Sequence, residues 1–189
     1  SNQPDVSTLH AWNAKTREEL WSVSPAGGFA VADGVVYVVN SGLKSLRTFS
    51  AKSGELLWTG HAETGRLSRP TVAESFVYIH SGEGQLYVFA TSGDHDVSKP
   101  LWTGTMKEQG GPQAPAVAYG KVYAGAKDTL YAFQAKGGES SELPLVWTAT
   151  TECSRFPGAP PSVANGVVYS TRGSNHLYGF DASTGDILW

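Results

Sequence analysis

The chain has 189 residues, 40% of them hydrophobic, enough to bury a substantial core and to exclude a disordered polypeptide. Only 16% are charged, while 22 glycines and 10 prolines favour many turns over long charged helices. A net charge of −3 supplies no basic field for nucleic acid or an anionic membrane, and no apolar run approaches the roughly 18 residues of a membrane helix.

Residues 1–8 read as an N-terminal tail or expression scar and carry no fold signal. Residues 9–21, LHAWNAKTREELW, read as a partial unit of two strands, with Trp12 and Trp21 as its marked aromatics. Four longer units follow, at 22–58, 59–102, 103–147 and 148–189, each closed by a tryptophan. The marked tryptophans, Trp21, Trp58, Trp102, Trp147 and Trp189, are spaced by 37, 44, 45 and 42 residues. Within each unit a short alternating run ends on Tyr37, Tyr78, Tyr123 or Tyr169, as in AVADGVVY and SVANGVVY. A second alternating run ends on Phe49, Phe89, Phe133 or Phe180, and LLW, PLW, LVW or ILW closes the unit.

Alternating β-branched and aromatic residues fit half-buried strands, so each unit is four short strands. Two residues separate the first two apolar runs: Asp33-Gly34, Glu74-Ser75, Tyr119-Gly120 and Asn165-Gly166. Asp-Gly and Asn-Gly at such a spacing signal type I′ hairpins, whose two central residues both need φ > 0. A period of about 42 residues with four antiparallel strands is the length of one propeller blade. The fold expected is therefore an all-β propeller of about four and a half repeats, part of a seven- or eight-bladed ring whose open blade edges favour self-association.

LYGFDASTGDILW at 177–189 and FSAKSGELLW at 49–58 resemble the repeat of the pyrroloquinoline-quinone-type, or quinoprotein-like, propeller family. The resemblance extends over residues 9–189 and implies that the five marked tryptophans dock neighbouring blades. Quinoprotein dehydrogenases of this type use a pair of adjacent cysteines and a Glu, Asn and Asp cluster for Ca²⁺. This chain has one cysteine, Cys153, and only Asp94 and Asp96, beside His95, fall close together in an inserted loop. No cofactor and no metal site is therefore expected, and the resemblance points to a non-dehydrogenase member. It implies an extracytoplasmic scaffold, like repeat proteins that assist outer-membrane assembly or sensor regions joined to bacterial kinases. The alternatives are a fragment of a quinone-dependent dehydrogenase or another enzyme using the channel mouth.

No Gly-x-Ser-x-Gly elbow, phosphate-binding loop or His-Glu-x-x-His occurs, so no catalytic residue is assigned. His10, His61, His80, His95 and His176 fall in different units and read as surface or loop positions. Alternating strand direction gathers the between-unit loops and the second-to-third loops on one face, where function is expected. That face carries Arg66, Arg69, Gln109, Gln113, Arg155 and Phe156, joined by Lys44, Lys127 and Arg172. Arg66, Arg69, Gln113, Arg155, Phe156 and Arg172 are the candidate ligand-binding residues. Their forks, amide and ring suit a small acidic or carbohydrate-like molecule, or an acidic peptide or protein.

Overall fold

The structure is a computed structural model and describes residues 7–24, 27–92, 96–151, 158–172 and 176–189, with nothing of the Arg172 side chain. All regular elements among these residues are β-strands. A hairpin of β1 (Leu9–Trp12) and β2 (Glu19–Val23) comes first. The first four-stranded sheet follows, with β3 (Phe29–Ala32), β4 (Val35–Asn40), β5 (Ser45–Ser50) and β6 (Leu56–His61). The second comprises β7 (Thr71–Ala73), β8 (Phe76–His80), β9 (Gln85–Ala90) and β10 (Trp102–Thr105). The third comprises β11 (Ala116–Ala118), β12 (Lys121–Ala126), β13 (Thr129–Gln134) and β14 (Leu145–Thr150). In the last, β15 (Ser162–Ala164), β16 (Val167–Arg172) and β17 (His176–Asp181) are joined by a bridge from Phe180 to Ile187.

Strand order equals chain order in every sheet and all pairs are antiparallel, so each sheet is a meander and forms one propeller blade. The short inner strands β3, β7, β11 and β15 lie side by side. All four inner hairpins turn on residues with φ > 0: Asp33 and Gly34 at 48° and 75°, Glu74 and Ser75 at 50° and 67°, Tyr119 and Gly120 at 53° and 67°, Asn165 and Gly166 at 53° and 75°. The mirror-image turn matches the right-handed twist of the strands it joins.

The blades stack face to face, so strands two and three are buried on both faces and the core is a series of inter-blade seams. Tyr37, Val39 and Leu46 meet Val77, Ile79 and Phe89 in one seam, Tyr78, Leu86 and Val88 meet Val122, Tyr131 and Phe133 in the next, and Tyr123, Leu130 and Trp147 meet Val168 and Phe180 in the third. One residue per repeat links the inner hairpin of its own blade to the blade before it. The N–H of Ala51, Thr91, Ala135 or Ala182, just past the third strand, donates to the carbonyl of the turn residue in its own blade, at 2.8 to 3.0 Å. The carbonyl of the same residue, where it is Ala51, Ala135 or Ala182, accepts from aromatic groups of the preceding blade. Trp21 Nε1 donates to Ala51 at 3.1 Å, Tyr78 Oη donates to Ala135 at 2.8 Å, and Tyr123 Oη and Trp147 Nε1 both donate to Ala182, at 3.0 and 3.3 Å. Glycine follows because the indole rests on the backbone: a Cβ would stand 2.5 Å from the Trp21 ring at Gly54 and 2.6 Å from the Trp147 ring at Gly185.

Two inserted loops extend these seams outward. His61 N–H of β6 donates to the Ser98 carbonyl of the next blade at 2.9 Å. Thr103 of β10 donates to the Ser141 carbonyl and accepts from Leu143 N–H, both at 2.8 Å, in a parallel bridge.

Two outcomes follow for stability. Ser75 is the one second turn residue that is not glycine, so Ser75→Gly should raise unfolding free energy by about 0.5 to 1 kcal/mol in a denaturant titration, and Gly34→Ser should lower it by as much. Burial, helped by the charges of Tyr119 and Asp181, pushes the Tyr123 hydroxyl up to about 12. A raised pKa means the contribution is complete below about pH 10 and is lost as pH climbs through 12. Tyr123→Phe should cost about 1 kcal/mol at pH 7 and flatten the fall in melting temperature between pH 10 and 12.

Candidate functional site

The second-to-third loops 41–44, 81–84 and 127–128 interlock with the between-blade loops 62–70 and 106–115. Ala62 N–H donates to the Lys44 carbonyl at 2.8 Å, Gly82 N–H to that of Arg66 at 3.0 Å, and Gly110 N–H to that of Gly82 at 3.0 Å. Leu67 N–H reaches Ser41 Oγ at 2.9 Å. Three basic residues of this surface, Lys44, Arg66 and Lys127, adopt left-handed backbone with φ of 49°, 49° and 52°. Side chains rarely accept that conformation, which costs on the order of 1 kcal/mol or more each.

Four cations of this face divide, among the described residues, into satisfied and unsatisfied. Lys44 Nζ donates to the Glu63 carbonyl at 3.2 Å, and Lys127 Nζ pairs with Glu108 Oε2 at 3.2 Å, which holds the lysine above its ordinary range. Arg66 and Arg69 are exposed, and among the described residues neither guanidinium has a hydrogen bond or ion pair. The Arg69 stem lies over Gly28, whose missing Cβ makes room for it. A groove of about 450 Å³ opens there, lined by Gly27, Gly28, Phe29, Leu67, Ser68, Arg69 and Pro112.

Gln113, expected on the binding surface, is turned inward. It is 8% exposed, and its Nε2 donates to the Gly158 carbonyl of the next between-blade loop. Its backbone N–H donates to Nδ1 of His80 at 3.3 Å. His80 corrects the reading of all histidines as surface or loop residues. It closes β8, is fully buried, and is locked at the backbone by two bonds to Ser68, 2.8 and 3.1 Å long. Burial pushes its pKa down to about 4, so the imidazole is neutral at pH 7. Its slot, two residues beyond the repeated tyrosine, holds Val39, Gly125 and Thr171 in the other blades. That register was the available signal, because residues two apart along a strand share a face and Tyr78 faces the next blade.

His10, His61 and His176 are exposed, as is Gln109. Arg155, Phe156, Cys153, Asp94 and His95 lie outside the described residues, and Arg172 ends β16 with its side chain undescribed. Among the described residues no group of three or more His, Cys, Asp or Glu is placed to hold a metal ion.

The family described as outer membrane protein assembly factor BamB matches residues 5–138 and 94–189. Outer membrane protein assembly factor BamB of Yersinia pestis is 29% identical over 210 residues, covering 96% of this chain and 51% of that protein. Tetrathionate hydrolase of Acidithiobacillus ferrooxidans is 28% identical over 133 residues, covering 62% of this chain and 26% of that protein. Among solved structures, BamB from Moraxella catarrhalis superposes with a TM-score of 0.73 at 16% identity, covering 97% of this chain and 58% of that one. A quinohemoprotein alcohol dehydrogenase, ADHIIG from Pseudomonas putida HK5, does so with 0.65 at 17% identity, covering 87% and 34%. The two structures show a shared fold, and the chain spans about half the length of the first sequence relative.

Proposed function

Because the chain belongs to the family described as outer membrane protein assembly factor BamB, we propose that it is a non-catalytic propeller module that binds a protein partner outside the cytoplasm. The partner docks on the face of the between-blade loops, and Arg66 and Arg69 receive its carboxylates. The observation that carries this reading is that Lys44 and Lys127 are satisfied within the chain, whereas among the described residues the guanidinium groups of Arg66 and Arg69 have no partner. A guanidinium left open on a pre-ordered loop offers two parallel donors to a carboxylate. From the sequence, we extend the proposed surface to Arg155, Phe156 and Arg172. Enzymatic readings draw nothing from the sequence: one cysteine cannot form the adjacent pair of a quinone site, and no nucleophile and base are spaced together.

The reading includes self-association. Trp12 and Leu20 of the first hairpin, and Leu177, Ile187, Leu188 and Trp189 of the last sheet, are about half exposed or more and present apolar surface to a second copy. Light scattering coupled to size exclusion should give a mass above the 20.1 kDa of one chain, and a stable monomer at high dilution would refute this part. For the docking face, fluorescence anisotropy against an array of extended peptides should favour Asp- and Glu-containing sequences over their Asn and Gln counterparts. Arg69→Ala should weaken the best binder by about 1.5 to 3 kcal/mol, with unfolding free energy moved by less than about 0.5 kcal/mol. Unchanged affinity in a double Arg66→Ala, Arg69→Ala variant would place the site elsewhere.

A further inference from the structure

We infer that His80 and Gln113 form an acid-released latch that holds the between-blade loops of three consecutive blades together beneath the Arg66 and Arg69 face. This rests on the reading of that face as the docking surface for its purpose, though not for its existence. The chain of contacts is continuous. Ser68, in the loop leading into the second blade, is bonded to the His80 backbone. The His80 ring accepts from the backbone N–H of Gln113, in the loop leading into the third blade. The Gln113 side chain then donates to the Gly158 carbonyl, in the loop leading into the fourth.

The geometry assigns the tautomer. Nδ1 accepts from an N–H, so the ring proton sits on Nε2 and the imidazole has one lone pair, already in use. A second proton can bind only at Nδ1, which would then present an N–H to the N–H of Gln113. The contact becomes a clash of two donors, and the loop must leave. Among the described residues His80 Nε2, Gln113 Oε1 and, on the neighbouring loop, Glu83 Oε2 are buried without a hydrogen-bond partner, and burial outweighs the opposing contribution of the Gln113 backbone in setting the charge of the ring. Among the described residues the charged groups on the surrounding elements are Glu63, Arg66 and Arg69 on loop 62–70, Glu83 on loop 81–84, Lys107 and Glu108 on loop 106–115, and Lys127 and Asp128 between β12 and β13. Glu108 and Lys127 neutralise each other. What governs the titration of His80 is burial.

The sign follows. A histidine depressed below its unfolded value favours the closed latch fully above about pH 6.5 and progressively less as pH falls through 4. Between ordinary and depressed values, the equilibrium for opening loop 106–115 should rise about a hundredfold from pH 7 to pH 4.

Amide hydrogen exchange, corrected for intrinsic rates, reads this directly in the unmodified chain. Amides of 106–113 should lose about a hundredfold in protection at pH 4 while those of β12 and β13 keep theirs. In His80→Val, which copies Val39 of the first blade, protection of 106–113 should not change with pH. If that variant fails to fold, the ¹⁵N shifts of the His80 ring in the unmodified chain decide. An Nε2–H tautomer persisting to about pH 5, with release of loop 106–115 tracking its protonation, supports the latch. Equal protection of 106–113 at both pH values, loss shared equally by β12 and β13, a pH response surviving in His80→Val, or an Nδ1–H tautomer would each overturn it. None of these readouts requires a docking partner, so failure of the face as a binding site would leave the latch standing, and the reverse.

Discussion

The stack of blades depends on one residue per repeat, the one just beyond the third strand. Its N–H fixes the inner hairpin of its own blade, and at Ala51, Ala135 and Ala182 its carbonyl is where the aromatic donors of the preceding blade arrive. Tyrosine and tryptophan suit this role because each brings a large apolar body to the seam and one polar atom to its rim. A carbonyl buried in such a seam needs partners, and at Ala182 two donors converge on it. The geometry of the mouth follows, since loops on that face are anchored only as well as the blades beneath them are registered.

The motif that carries the family resemblance can be read atom by atom on this basis. Asp181 Oδ1 accepts the N–H groups of Ser183 and Thr184 at 2.7 and 3.0 Å, which holds its carboxyl below the usual range and closes the turn. Ala182 supplies the carbonyl, Thr184 Oγ1 bonds Asp186 at 2.7 Å, and Gly185 clears space for Trp147. The first hairpin repeats the turn with Asn13, whose Oδ1 accepts from Lys15 and Thr16. There the glycine position is taken by Arg17 at φ 62°. The backbone conformation belongs to the turn itself, whereas the absence of a Cβ belongs to the docking.

Much of the fold was legible because its signals are local. Period-two alternation gave the strands, the two-residue turns gave the hairpins, and the spacing of Tyr and Trp gave the repeat. The bulge of the third strand recurs at Ala11/Trp12, Thr48/Phe49 and Ala132/Phe133, in step with the aromatic that ends each run. Less legible was which way a side chain faces once both faces are buried. VVYVV and FVYIH are apolar nearly throughout, so alternation is erased and the burial of His80 is hidden. Topology set Arg66 and Arg69 on the loop surface, but the pairing of Lys127 with Glu108 and the inward turn of Gln113 arise from loop backbones that no periodicity describes.

The inserted loops carry a consequence for how such a chain can be rearranged. Ser98 shields an edge belonging to the blade before it, and Ser141 and Leu143 do the same for β10. Trp21, Trp102 and Trp147 likewise rest on Gly54, Gly137 and Gly185 of the blade after them. The unit of sequence repetition is therefore not the unit of structural self-sufficiency. A single blade moved to another position would arrive with an indole lacking its seat, a flap lacking its edge and its own outer strand bare. Recombination, natural or engineered, should tolerate exchange of adjacent pairs of blades far better than exchange of single ones.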